Sequence, residues 1–162
     1  MTKRFKNIFI GILISCASLA ALPMAQAADD DAVAQAIKAR QAGFRLYSFY
    51  AGQLFAMAKG EQEYNADLAA TLANNLVAVT ELNNGMMWLP ESDNTARKGK
   101  TRAQPEIWAA DSNIGDKAQT LKDAALGLSL VAGDGLDALR GEIGAVGEAC
   151  DSCHEDYRAE DF

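Results

Sequence analysis

Four stretches of this 162-residue chain place apolar residues alternately three and four positions apart, the spacing that keeps one stripe of a helix against its neighbours. Such a chain buries its stripes by packing helix on helix. The first stretch covers about residues 31–59, with Val33, Ile37, Phe44, Tyr47, Ala51, Leu54 and Ala58 on the seam and Gly60 suited to end it. Arg40 lies on that same seam. The second opens at Asn65, a side chain able to cap a helix, and carries Leu68, Leu72, Leu76, Val79 and Leu82 before Asn83-Asn84-Gly85 stops it. Residues 85–104 form a long connection with Trp88, Pro90 and a basic cluster of Arg97, Lys98, Lys100 and Arg102.

The third stretch starts between Pro105 and Asp111 and runs through Ile114, Ala118, Leu121, Ala125 and Leu128 to Gly133. Asp134 then caps a fourth, whose seam is Leu136, Leu139, Ile143, Val146, Cys150, Cys153 and Tyr157. No run alternates polar with apolar residues in the manner of a half-buried strand, so the reading is all-α. Short links join the first to the second helix and the third to the fourth. They favour antiparallel neighbours, and the expected architecture is an up-down-up-down four-helix bundle.

Ahead of the bundle, the basic residues MTKRFKN precede the apolar IFIGILISCASLAALPM, and Ala25-Gln26-Ala27 follows as a small-x-small cleavage pattern. The expectation is an export signal over residues 1–27 and a mature domain over 28–162, placed in the periplasm. A membrane anchor is disfavoured by the breaks at Ser15, Cys16, Ser18 and Pro23. The rival processing is lipidation of Cys16 in Leu13-Ile14-Ser15-Cys16. Loss of Lys3, Arg4 and Lys6 with the leader moves the formal charge from −7 to about −10. An acidic domain of that kind repels nucleic-acid phosphates and anionic lipid, so neither is an expected partner.

With Cys16 in the leader, the mature chain keeps only Cys150 and Cys153. A disulfide between residues three apart closes a tiny loop and restrains the unfolded chain very little. Cys150-Asp151-Ser152-Cys153-His154 instead has the spacing at which two thiols add to the vinyl groups of one haem while the next imidazole meets the iron. A redox dithiol would want its pair at a helix start beside a sheet, and a structural zinc would want a fourth ligand from Cys or His. Neither setting is offered here. His154 is the only histidine, so the sixth iron position is left to methionine, water or nothing. Met57 lies too far along the first helix from Phe44 to share its iron, and Met86 or Met87 would have to fold back from the long connection.

The C-terminal haem motif, the bundle pattern, Arg40-Gln41, Pro105-Glu106-Ile107-Trp108 and the ending Cys-His-Glu-Asp-Tyr-Arg together resemble the cytochrome c′ family, across about residues 31–158. Cytochrome c′ is itself a standard example of an up-down helix bundle, so the resemblance implies the fold already read from the helix pattern. It also implies one covalent haem c on Cys150 and Cys153, with His154 as the axial iron ligand. One turn after the Arg-Gln pair, the residue facing the open side of the iron is Phe44, where low-spin members carry a methionine ligand. Phenylalanine there implies five-coordinate, high-spin iron that binds small diatomic gases, nitric oxide and carbon monoxide, and also passes electrons. Arg40 fits a haem propionate, because a guanidinium on a bundle seam needs an anion. Gln41 has the same implied role with less physical support, and Arg158, one turn past His154, is placed in the proximal pocket.

The competing function is a six-coordinate, low-spin electron carrier with a methionine ligand. An enzyme reducing peroxide would want a distal histidine or acid, and none is available, so no catalytic residue is assigned. A haem-free helical lipoprotein is the remaining alternative. Trp88 and Trp108 read as packing residues. The redox partner protein is unidentified. Leu46, Phe49 and Tyr50 offer apolar surface for a homodimer through the first two helices, the arrangement the resemblance implies.

Overall fold

The computed structural model describes the backbone of residues 23–161 and the side chains from Asp30 onward. Most of the expected leader, including Cys16, lies outside the described residues. Four helices carry the fold: α1 (Pro23–Lys59), α2 (Ala66–Thr80), α3 (Ile114–Val131) and α4 (Leu136–Tyr157). The only pairing of extended backbone among the described residues is an isolated bridge between Ala103 and Arg158. The chain is therefore all-α, and each helix packs on the one before it while α4 closes back on α1.

Local chemistry explains most of the boundaries. Gly60 ends α1 at φ +79°, a left-handed conformation that glycine adopts without steric cost. Asn65 caps α2 by accepting a hydrogen bond from the Leu68 amide at 2.8 Å. Three boundaries differ from expectation. The first helix begins at Pro23 rather than near residue 31, because the Ala-rich segment before Asp31 holds no breaker. The third begins at Ile114, because Pro105–Trp108 forms a separate 3₁₀ turn and the backbone N–H of Asn113 donates to the Tyr157 hydroxyl at 3.0 Å. The residue at the head of α4 is Gly135, not Asp134, since the backbone there takes φ +133°.

The aliphatic core fills one half of the bundle. Leu54 and Met57 of α1, Leu72 and Leu76 of α2, Leu128 of α3, and Leu139, Ile143 and Val146 of α4 form it. Ala69, Ala73, Ala125 and Ala132 are also buried there and let the helix backbones approach closely. Tyr64 ties the helix ends beneath it: its hydroxyl donates to the Ala132 carbonyl at 2.9 Å and accepts from the Gly135 amide at 3.0 Å. Two residues expected on the α2 seam, Leu68 and Leu82, stand exposed. Tyr47 and Cys150 lie on the margin of this cluster, and Val33, Ala36, Ile37 and Ile107 are buried outside it. The other half carries the site.

Candidate functional site

Cys150, Cys153 and His154 sit in the last two turns of α4, all half-buried. Positions 150, 153 and 154 fall on one stripe of the helix, turned toward the half where the core ends. Both thiols are free. Burial pushes each thiol pKa up, and the carboxylate of Asp151 adds to the effect at Cys150. Lys117 and Arg158 act the other way on Cys153. The pair therefore lies at the end of a helix, not at the start where a dipole would activate a redox dithiol. His154 is pushed down, first by burial and then by the Arg158 cation, with Asp151 opposing and Arg102 adding a smaller push. The imidazole is held neutral, the form that offers a nitrogen lone pair to a metal.

Neighbours fix this turn of α4. Lys117 of α3 donates to the Ser152 hydroxyl at 2.7 Å and the Ser152 carbonyl at 3.2 Å, and pairs with Asp156 at 2.9 Å. The end of the long connection is sewn to the end of the helix. Gln104 donates its amide to the Tyr157 carbonyl at 3.0 Å, Ala159 donates to the Arg102 carbonyl at 2.8 Å, and the Arg102 side chain donates to Ala159 and Glu160 carbonyls. Arg158 is exposed at the end of α4 beside His154, where the Arg158 amide still closes the last helical turn on the His154 carbonyl.

Across from α4, Phe44 projects from α1 and remains 40% exposed although it lies on the sequence seam. It packs edge-on against Tyr47 and Trp88, with ring centroids 5.7 and 6.2 Å away. Tyr47 donates to the Val79 carbonyl at 3.2 Å, and its hydroxyl pKa is raised chiefly by burial, with Cys150 adding a small push. Tyr47 and Cys150 both pack against the margin of the core, and Phe44 lies one turn before Tyr47 on α1. Trp88 and Trp108, with Ile107, Ile114, Gly115 and Ala118, line an apolar hollow of about 310 Å³ beside this end of the bundle.

Arg40 is held by the long connection. It is 4% exposed, and its four terminal N–H groups go to neutral oxygens of the long connection. Nη1 donates to the Ser92 hydroxyl at 2.9 Å and the Met87 carbonyl at 3.2 Å. Nη2 donates to the Ser92 carbonyl at 2.8 Å and the Thr101 hydroxyl at 2.9 Å. Its guanidinium lies 4.5 Å from the Trp88 ring centroid and 5.9 Å from that of Trp108. Burial pushes its pKa down to about 10, with Asp93 partly offsetting, so it stays charged at neutral pH. Dipoles and aromatic faces hold this guanidinium on the bundle seam, with the Asp93 carboxylate also favouring its charge. Trp88 and Trp108, read as packing residues, pack specifically on this cation. Nothing in the spacing of Ser92 or Thr101 pointed to Arg40. Gln41, next to it, donates from Nε2 to the Lys100 carbonyl at 2.8 Å.

The residues present fit a covalent haem. Two unlinked thiols and a neutral imidazole share one helix stripe, Cys150 lies at the margin of the main aliphatic cluster, and α1, which packs on α4, carries a partly uncovered aromatic ring. Comparison with known proteins agrees. The cytochrome C′ family model matches residues 35–158. The chain belongs to the cytochrome c′ family. It is 35% identical over 140 residues to the cytochrome c′ of Cereibacter sphaeroides, an alignment that covers 86% of this chain and 92% of the relative. A solved cytochrome c′ from Rhodobacter superposes with TM-score 0.76 at 33% identity, covering 79% of this chain and 98% of the other. The nitric oxide complex of a mutant cytochrome c prime from Alcaligenes xylosoxidans superposes with TM-score 0.66 at 30% identity, covering 78% and 94%. Members of the cytochrome c′ family carry covalently bound haem c, and this chain is a haem c-type cytochrome. No helix among the described residues is long and apolar enough to cross a membrane.

Proposed function

We propose that the mature chain is an exported monohaem cytochrome with five-coordinate, high-spin iron, which binds nitric oxide and carbon monoxide and passes single electrons. Cys150 and Cys153 hold the haem through thioether bonds, and His154 is the axial iron ligand. When bound, the haem iron supplies a one-electron couple and one coordination position for a diatomic gas. The protein side chains do the rest. Residues 1–27 act as the cleaved export signal, which places the domain in the periplasm.

The observation that carries this reading is Phe44. Its ring bears no donor atom and stands 40% exposed on α1, edge-on to Tyr47, which packs at the margin of the core as Cys150 does. A side chain of this kind shields the open side from water without ligating, and rotation about its side-chain bonds admits a small gas. On the other side, the lowered His154 pKa keeps its lone pair available, and the exposed Arg158 stabilises negative charge near the proximal pocket. Arg40 takes none of its four loop bonds through Nε, so that N–H remains for a haem propionate, with Gln41 beside it.

The low-spin alternative needs a methionine at the iron. Met57 is fully buried in the aliphatic half, Met86 is 84% exposed on the connection, and Met87 is half-buried beside Trp88, so Met87 is the methionine that such a reading would use. The chain acts as a carrier and gas binder rather than an enzyme. Leu46 and Phe49 are exposed on α1, which supports a homodimer through α1 and α2.

Optical and electron paramagnetic resonance spectra of the ferric and ferrous protein test this directly, with and without nitric oxide and carbon monoxide. High-spin iron that takes up both gases is expected. A low-spin spectrum indifferent to them would mean a sixth protein ligand and would make the protein a dedicated electron carrier.

A further inference from the structure

The chain is acidic, with 22 Asp and Glu against 15 Lys and Arg, yet its charge is unevenly placed. Between Asp31 and Glu61 of α1 there is no carboxylate, only Lys38, Arg40, Arg45 and Lys59. Between Asp93 and Glu106 of the long connection there is again none, only Arg97, Lys98, Lys100 and Arg102. The fold brings these two acid-free segments together. Arg40 holds Ser92 and Thr101, and Gln41 bonds the Lys100 carbonyl at 2.8 Å.

Within this region the cations divide into two groups. Arg40 is buried, Arg97 pairs with Asp30 at 2.7 Å, and Arg102 is spent on Ala159 and Glu160 carbonyls. Lys38, Arg45, Lys98 and Lys100 are exposed, and among the described residues none of them pairs with a carboxylate. Arg45 shares a shallow hollow with Gln41, Phe44 and Ser48. Arg45 therefore borders the hollow at Phe44, and the connection that carries Lys98 and Lys100 is tied beside it through Gln41.

We propose that Lys38, Arg45, Lys98 and Lys100 form the docking surface for an electron-transfer partner protein with a compact acidic face. This rests on the reading that Phe44 marks the open side of the haem. Fields from exposed charges fade over roughly 8 Å at physiological salt, so a partner at this patch meets the local cations rather than the net charge of the whole chain. A compact acidic protein gains from that arrangement. A lipid surface or a nucleic-acid duplex is an extended polyanion, which would also face the acidic remainder of the molecule. Complementary charge at such a contact sets the encounter rate and orientation more than the final affinity.

Two measurements on the haem-loaded protein test the proposal. In the first, ¹⁵N-labelled protein is titrated with poly-L-glutamate, and separately with vesicles containing anionic phosphatidylglycerol. Amide shifts centred on residues 38–48 and 97–101 with poly-L-glutamate are expected, while binding to the vesicles alone would overturn the proposal. In the second, stopped-flow oxidation of the ferrous protein by hexacyanoferrate(III) at low ionic strength compares the wild type with K38E/K98E/K100E and with K122E, a charge reversal on α3. The triple variant is expected to react about 10-fold more slowly, with the difference vanishing at high salt and K122E close to wild type. Equal rates for all three would overturn the docking surface while leaving electron exchange intact. Absence of any oxidation would instead remove the electron-transfer reading, and the glutamate footprint would still report on the patch.

Discussion

The two halves of the bundle are built on different principles. In one, Leu54, Met57, Leu76, Leu128, Leu139 and Val146 are fully buried among alanines, and the helices close on each other without help. In the other stand an arginine buried against two tryptophans, a partly exposed phenylalanine, two free thiols and a half-buried histidine, with Val33, Ile37 and Ile107 buried outside the main cluster. The first half makes a bundle. The second ties the long connection to α1 through a buried cation.

That contrast predicts which half fails under which change. The largest effect belongs to the thiols: C150A/C153A is expected to lose covalent haem entirely, so that acidified butanone extracts all haem while the wild type retains it. Retention in the double variant would break the assignment of the attachment residues. In the filled half, Leu139→Ala is expected to cost about 2–5 kcal/mol in denaturant unfolding, in the apo and haem-loaded forms alike. In the open half, Arg40→Leu is expected to cost about 3 kcal/mol, because the Ser92, Thr101 and Met87 oxygens lose their donors. Amide exchange should accelerate across residues 87–101 before it does in α2. An unchanged exchange pattern would mean that the connection holds itself.

A smaller effect separates local from tertiary causes. Asn65→Ala is expected to cost about 1 kcal/mol by removing the cap of α2, without moving the haem spectrum. Phe44→Ala is expected to change apo stability least, by about 1 kcal/mol or less, since the ring is already partly in water. In the haem-loaded protein the same change should speed carbon monoxide uptake in stopped flow. Unaltered uptake would remove Phe44 from the gas path.

Helix existence was legible because the apolar period is a local property of the chain, and α2 could be placed almost to the residue from Asn65. Start points failed where competing local structures were near in energy. Pro105 suits a helix start equally well in a 3₁₀ turn, and Asp134 offers a good cap one residue before the glycine that takes the required backbone angle. Cys150, Cys153 and His154 were readable as a unit because they lie within five residues on one stripe. Phe44 was reached only through family resemblance, since spacing alone makes it another core residue.

The sequence by itself determined four amphipathic helices, their antiparallel order and the Cys-x-x-Cys-His stripe on which the proposed haem attachment rests, because periodicity, capping and motif spacing all act within a few residues. Tertiary structure alone decided the surroundings of Arg40, which bonds residues 47 to 61 positions away and packs against two indole rings. It also decided that Phe44 stays partly uncovered and that two acid-free segments form one cationic surface. Those outcomes depend on which residues meet across the fold, and a buried charge accepts any adequate set of dipoles, so its partners are fixed only when the chain has closed around it.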